Sequence, residues 1–308
     1  MKIKPTQILH PFLWIICGTF MCTAQQDPQY SQYAYNTMNV NAAYTGSRES
    51  LSLLTMYRTQ WVGIEGAPKT ISFNIDAPLN TRNGLGISII QDELGPSEET
   101  YLNLNYSHTL QLNKNGHRLA LGLKGGAQML SIDWTKGRFR DPDAQFNENI
   151  NSKLLPSFGA GVFYYTNKFY LGLSTPNIIA NQHYDAIAEA TATDRIHLFL
   201  IAGYVFELSD QLKFKPSIFV KQVSGSPLSA DVSANFLIHN RINLGVNYRW
   251  DDSMSGLLGI QLNRNFSIGY AYDYSITELN KYNSGTHEVF LHYQLRSKDL
   301  KIKSPRFF

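Results

Sequence analysis

The chain has 308 residues and a formal net charge of +3, a length that fits two domains or one large barrel or sandwich. Charged residues make up only 17% of the sequence and form no long basic run, so the charge pattern gives no support for nucleic-acid binding. The cysteines, Cys17 and Cys22, lie in a segment that we expect to be removed. This excludes a disulfide scaffold, a thiolate metal site and a cysteine nucleophile in the mature chain.

The first 24 residues have the organisation of a cleavable export signal. Lys2 and Lys4 precede an apolar stretch, residues 11–21, and small residues lead up to Ala24, which is the pattern that a signal peptidase reads. The apolar stretch is shorter than the ~20 residues of a spanning helix, which argues against a membrane anchor. We predict cleavage after Ala24, and removal of Lys2 and Lys4 reduces the formal charge from +3 to +1.

The remaining chain alternates between apolar and polar residues. In residues 101–112, for example, Leu102, Leu104 and Tyr106 share one face of a strand, and amide and hydroxyl residues share the other. The alternation is clear in 101–112, 118–132, 241–250, 266–275 and 286–295, and weaker in 51–60, 68–76, 83–92, 155–165, 167–173, 195–207, 211–222, 226–238 and 254–263. These segments predict an all-β protein, an antiparallel transmembrane outer-membrane β-barrel of about 14 strands. An even number of strands closes without an unpaired edge.

A soluble β-sandwich would also alternate, but its water-facing strands usually carry many Lys and Glu residues. Here Asn, Ser, Gly and Gln fill the polar face, which fits a crowded barrel lumen better. The 18 tyrosines fit interfacial girdles. Two connections are long enough to be extracellular loops. Residues 136–153 are polar and charged, whereas residues 176–194 are mixed and contain a possible helical turn at 185–192.

Residues that resemble catalytic or metal-binding motifs lack the required spacing. His287-Glu288 is followed by His292 at i+5 rather than i+4, on a strand rather than a helix. Asn83-Gly84-Leu85-Gly86 has no helix after it to bind a phosphate, and Asp141 and Asp143 lack the further ligands of a calcium loop. We therefore predict no catalytic residue, no cofactor and no metal site. Gly125 and Gly126 lie in mid-strand, where they permit bending or close approach of material in the lumen.

The start of the expected mature chain is not strand-like and carries a series of short motifs. They are QDPQYSQY at 26–33, NVNAAYTG at 39–46, YRTQW at 57–61 and GAPKT at 66–70, followed by GLG at 84–86, DELG at 92–95, YDYS at 272–275, SGTHE at 284–288 and SPRFF at 304–308. The series resembles the PorP/SprF family of outer-membrane proteins, which occur with the type IX secretion system of Bacteroidota. The family usually has Asn-Pro-Ala-Tyr-Ala-Gly, whereas Ala42 and Thr45 replace the proline and the second alanine here.

The resemblance implies a non-enzymatic barrel that works beside the secretion machinery. It would aid export or surface attachment of a large secreted protein, such as a gliding adhesin. Outer-membrane lipid, the exported protein and periplasmic ring proteins of the secretion system would be its partners. The alternative, suggested by the polar strand face, is a passive diffusion channel. A purely structural contact to the periplasmic ring is also compatible with the resemblance.

The sequence divides into four predicted regions: a signal peptide at 1–24, a periplasmic or lumenal segment at 25–48, a barrel at 49–296 and a tail at 297–308. Asp27-Pro28 and the Asn-rich residues 36–41 do not easily continue a strand, which places the second region in the lumen or at the periplasmic mouth. The candidate partner-binding residues are Tyr57, Arg58, Gln60, Trp61, Asp27, Gln29 and Tyr33. An equally weighted interpretation makes Trp61 an interfacial anchor and Arg58 a lumen residue paired with a carboxylate.

Overall fold

A computed structural model describes residues 30–137, 149–179 and 196–295. Its strands are β1 (Ser52–Thr59), β2 (Lys69–Pro78), β3 (Asn83–Leu94), β4 (Ser97–Gln111), β5 (Arg118–Ile132), β6 (Ile150–Tyr165), β7 (Phe169–Thr175), β8 (His197–Tyr204), β9 (Phe206–Ser209), β10 (Leu212–Val223), β11 (Ser229–Ile238), β12 (Ile242–Arg249), β13 (Ser253–Gln261), β14 (Phe266–Ser275) and β15 (Thr286–Gln294). A short helix, α1, spans Thr37–Val40, and 3₁₀ turns span Ala42–Tyr44, Trp134–Lys136 and Glu278–Lys281. In these three ranges no helix is long and apolar enough to cross a membrane.

The strands form a closed antiparallel barrel of 14 strands, as the sequence predicts. Consecutive strands pair around the ring, and β1 closes it by pairing with β15 from Ser52↔Gln294 to Thr59↔His287. The short β9 continues β8 beyond Val205 and pairs with the first residues of β10. Closure pairs each of the 14 ring strands on both sides, and only the four-residue extension β9 has a single partner, β10. The ring itself therefore has no unpaired edge strand.

The two ends of the barrel differ in the length of their connections. At one end, the short-turn end, the connections are residues 79–82, 112–117, 166–168, 210–211, 239–241 and 262–265. At the other, the loop end, they are 60–68, 95–96, 133–149, 176–196, 224–228, 250–252 and 276–285. Outer-membrane barrels keep short turns on the periplasmic side, and this difference in length predicts that the loop end is the extracellular side. Both connections that the sequence singles out as long loops lie at the loop end.

The two faces of the wall follow the predicted alternation. Leu102 and Leu104 are 54% and 52% exposed on the outer face, whereas Asn103 and Asn105 between them are buried inside. The outer face is therefore an apolar surface for lipid, and the amide and hydroxyl side chains turn inward.

Several strands differ by a few residues from their predicted extents; β4, for example, begins at Ser97 instead of residue 101. Two of the differences follow from strand pairing. β6 begins at Ile150 because Ile150 and Lys153 pair with Ile132 and Leu130 of β5 across a register shift, so the predicted loop at 136–153 ends earlier. The predicted strand at 195–207 is interrupted at Val205, whose N–H donates to the carbonyl of Lys168. The predicted signal peptide, helical turn at 185–192 and C-terminal tail lie outside the described residues.

Substitution of Leu123 tests whether the apolar outer face of the wall lies in the hydrocarbon of the membrane. Leu123→Lys should lower the free energy of unfolding by about 2–4 kcal/mol, because its side chain, 64% exposed, lies well inside the apolar band. The matched change Leu262→Lys, at the short-turn end, should cost only about 0–1 kcal/mol. Equilibrium urea unfolding in lipid vesicles measures both, and equal costs at the two positions would contradict this placement of the bilayer.

Candidate functional site: the barrel interior

The barrel interior contains a piece of the chain itself. Residues 30–48, called the lumenal segment below, are almost entirely buried. They bond to the wall on all sides: Ser31 to β15, Asn36 to β2, Thr45 to β4, Asn41 to β6, Tyr33 to β10 and Tyr35 to β12. Contacts around the whole circumference mean that the segment crosses the lumen instead of lining one side of it.

The lumenal segment runs the length of the barrel. Ser31 contacts Glu288 near the start of β15, towards the loop end. Arg48 lies near the short-turn end, where it bonds to Ser52 at the start of β1. The chain therefore descends through the lumen from the loop end and turns back upward into β1. Of the two locations predicted for residues 25–48, the described part lies in the lumen and not only at its mouth.

A buried ionic cluster holds the upper end of the segment. The Glu288 carboxylate accepts the backbone N–H groups of Ser31 at 3.0 Å and Gln32 at 2.8 Å. Arg58 lies 2.9 Å from Glu288 and 2.9 Å from Asp273.

The second carboxylate of this cluster also bonds to the segment, because the Ser31 hydroxyl donates to Asp273 at 2.6 Å. Two carboxylates buried together need positive charge and donors. Arg58 supplies positive charge, and the lumenal segment supplies hydrogen bonds to both carboxylates.

The lower end is shaped by the Asn39–Gly46 motif. The Asn41 side chain accepts from Ala43 N at 2.9 Å, which starts the 3₁₀ turn, and donates to the carbonyl of Val162 at 3.1 Å. Gly46 has φ +70° and donates its N–H to Asp76 at 2.8 Å. The left-handed conformation there favours glycine, so the motif builds a turn that delivers the chain to β1.

Inward-facing glycines provide space for this turn. A Cβ on Gly122 would lie 2.0 Å from the backbone N of Ala43, and one on Gly161 would lie 2.1 Å from the Asn41 side chain. Gly84 is similarly close to the Thr45 carbonyl, at 2.3 Å. Gly125 and Gly126, the two mid-strand glycines noted in the sequence, do not contact the lumenal segment. Gly126 accommodates Asn103 of the neighbouring strand, and a Cβ on Gly125 would contact only Phe158. The lumenal segment therefore approaches the wall closely at glycines, as predicted, but at Gly84, Gly122 and Gly161.

One side of the lumen is apolar, although strand alternation alone predicts a polar interior. Tyr33, Met38 and Tyr44 of the segment pack into a cluster with Phe163, Phe199 and Phe219 of the wall. The rings of Tyr33 and Phe219 are stacked with centroids 4.9 Å apart. The Tyr33 hydroxyl donates to Ser217 at 3.2 Å, so its polar end is also bonded to the wall.

The predicted partner-binding residues are distributed over several environments. Tyr57 is 43% exposed on the outer face, whereas Arg58 and Tyr33 are buried inside the barrel. Arg58 is paired with carboxylates, as the alternative interpretation has it. Gln60 and Trp61 are partly exposed at the loop end. Asp27 and Gln29 lie outside the described residues.

The histidines that resemble a zinc motif point to opposite sides of β15. His287 contacts the Tyr270 hydroxyl on the outer side, and His292 lies inside against Ser52. In the described ranges, no three His, Cys, Asp or Glu side chains are grouped so that they could hold a metal ion.

Comparison with known proteins identifies a family and a fold. The family model for the type IX secretion system membrane protein PorP/SprF matches residues 22–293. No curated protein matches the sequence significantly. The CymD monoaromatic hydrocarbon channel superposes with a TM-score of 0.51 at 12% identity, covering 85% of this chain and 93% of that chain. Omp33 of Acinetobacter baumannii has a TM-score of 0.48 at 6% identity, covering 82% and 100%. The toluene transporter TbuX of Ralstonia pickettii has a TM-score of 0.48 at 9% identity, covering 84% and 93%.

The space that Gly122 leaves for the Ala42–Tyr44 turn can be tested by placing a side chain in it. Gly122→Val should displace the Ala42–Tyr44 turn, because the new side chain would occupy the position of the Ala43 backbone. Hydrogen exchange measured by mass spectrometry should show roughly tenfold or greater loss of protection in residues 40–46, with the barrel strands still protected. Gly256→Val is the matched control, since nothing lies within 4 Å of its Cβ position. Unchanged protection in Gly122→Val would show that the turn does not rest on this glycine.

The ionic cluster can be tested by removing its cation. Arg58→Ala should lower the free energy of unfolding by about 3–5 kcal/mol, because it leaves two buried carboxylates without their positive partner. Adding Glu288→Gln and Asp273→Asn to Arg58→Ala should recover part of that loss. Urea unfolding in lipid vesicles gives the values, with Lys69→Ala, an exposed lysine of β2, as the control. Equal stability of Arg58→Ala and Lys69→Ala would refute the proposed role of the cluster.

Proposed function

Because the chain belongs to the PorP/SprF family of type IX secretion system membrane proteins, we propose that it aids export or surface attachment of a large secreted protein, such as a gliding adhesin. In this role it is a non-enzymatic component of the outer membrane. Neither the family nor the fold is that of a known enzyme family. Its partners are outer-membrane lipid, the exported protein and components of the secretion system, including periplasmic ring proteins.

The observation that carries this proposal is the occupied lumen. The lumenal segment contacts the wall on all sides and is fixed at both ends, by Glu288 above and Asp76 below. Between the segment and strands β11–β13 lies a cavity of about 10 Å³, which is room for about one water molecule. A barrel packed in this way is suited to hold a protein partner at the membrane and not to pass solutes.

The loop-end rim offers a surface for the exported protein. Trp61 has φ +45°, a conformation that is unfavourable for a bulky residue. It is stabilised by a hydrogen bond from Trp61 N to the Thr286 hydroxyl at 3.1 Å and by the neighbouring bond from Val62 N to Gly285 O at 2.9 Å. Strained backbone held by its surroundings often occurs at functional sites. We propose that Gln60 and Trp61 contact the partner, whereas Arg58 and Tyr33 support that rim from inside.

A passive diffusion channel is the alternative function. The CymD structure is titled a channel, but at 12% identity the likeness concerns the fold alone. A porin keeps an aqueous passage through its centre, whereas aromatic stacking and buried ion pairs fill the centre here. The contents of the lumen therefore favour the secretion role.

Deletion of the gene tests the proposal. A client protein, sought first among large exported proteins encoded beside the gene, should fall by about tenfold or more at the cell surface, measured by antibody labelling of intact cells. Its appearance in the medium would indicate lost attachment, and its retention inside would indicate lost export. Complementation with the wild type or with Gly256→Val, which meets no neighbouring atom, should restore the surface level. A normal surface amount in the deletion strain would overturn the proposal.

A further inference from the structure

The short-turn end carries a ring of positive charge, called the basic rim below. Five of its six turns, all of which the structure describes, present one exposed lysine or arginine: Arg82, Lys114, Lys168, Arg241 and Arg264. The sixth turn, between β9 and β10, contains Asp210. Successive turns are separated by two inter-strand spacings, or about 10 Å. The cations are thus spread around the rim and not gathered in one patch.

Each cation of the rim lies within three positions along the chain of an outward-facing apolar residue, in the turn or at the adjoining end of a strand. The neighbours are Leu79, Leu112, Phe169, Ile242 and Leu262. Above them, aromatic side chains form contacts around the same end, as in the Phe206–Phe214–Phe236 stack and the Phe266–Tyr293 pair. An aromatic belt marks the boundary between hydrocarbon and headgroups. The basic rim therefore lies at the level of the lipid phosphates.

The loop end has a different balance of charge. Its exposed charged residues in the described ranges include Glu65, Glu93, Glu98, Asp251 and Glu278, against Lys69, Lys136 and Lys281. At the short-turn end the exposed acids are Glu207 and Asp210, and Glu207 is paired with Lys168 at 3.3 Å. Among the residues that the structure describes, the excess of positive charge is therefore found at the short-turn end and not at the loop end.

From these observations we propose that the basic rim binds the headgroups of anionic phospholipids in the periplasmic leaflet. Lysine and arginine near a membrane surface are attracted to anionic lipid, and their long stems can follow apolar surface while the charge reaches the phosphate. A lipid annulus surrounds the barrel on every side, as the rim does. An acidic protein partner would instead favour cations concentrated on the face that it contacts. This inference goes beyond the secretion role and does not depend on it.

The test counts lipids that stay bound to the purified full-length protein. Detergent-solubilised protein is mixed with equal amounts of phosphatidylglycerol and phosphatidylethanolamine, and native mass spectrometry records the adducts. The wild type should retain phosphatidylglycerol preferentially. A variant with Arg82, Lys114, Lys168, Arg241 and Arg264 all changed to Gln should lose about tenfold or more of that preference. Changing Lys69, Lys136 and Lys281 to Gln at the loop end is the matched control and should leave it unchanged.

A charge-conserving variant separates loss of charge from loss of fold. Exchanging arginine and lysine at the same five positions should keep the preference for phosphatidylglycerol, and the heat-dependent gel mobility of a folded barrel checks every variant. The proposal is overturned if the wild type shows no preference, or if the Gln variant of the rim keeps it. It is also overturned if the Gln variant keeps the lipid but loses crosslinks to a periplasmic protein, because the rim would then be a protein-binding surface.

Discussion

The carboxylate of Glu288 is the interaction on which the arrangement of the interior depends. It is fully buried, accepts the backbone N–H groups of Ser31 and Gln32, and lies beside Arg58. A buried carboxylate is tolerated only when it is paired and hydrogen-bonded. The wall therefore needs the lumenal segment as much as the segment needs the wall. That mutual requirement makes the barrel a filled body, which suits it better to holding a protein partner than to passing solutes.

The rest of the interior is fitted to the path that this interaction sets. Gly122 and Gly161 leave the space that the Asn41–Tyr44 turn occupies, and Gly46 turns the chain towards β1. On the opposite side, Phe290 packs against Tyr35 with ring centroids 3.9 Å apart. Small, aromatic and charged residues of the wall each lie where the lumenal segment contacts them. Native contacts that support one another in this way are typical of a sequence that specifies one fold.

The sequence predicts the wall better than its contents. Alternation is a local property, so the side of the strand on which Leu102 and Asn103 lie can be predicted without knowing which strands pair with it. The pairing of Arg58 with Asp273 and Glu288 joins residues more than 200 positions apart, and no periodicity reports it. The NVNAAYTG motif at 39–46 marks the segment as unusual, but its contact with Gly122 depends on the closure of the barrel. For the same reason strand patterns do not predict the apolar side of the lumen, where Phe163 and Phe219 face inward.

The central claim is that the lumenal segment obstructs the lumen, so that no open passage runs through the barrel. The most direct measurement is the conductance of purified protein in a planar lipid bilayer, for the wild type and for a variant that lacks residues 30–48. A filled lumen predicts almost no steady ohmic conductance for the wild type and clear ohmic conductance for the folded variant. Equal ohmic conductance of the two proteins would show that the segment does not obstruct the lumen and would contradict the account.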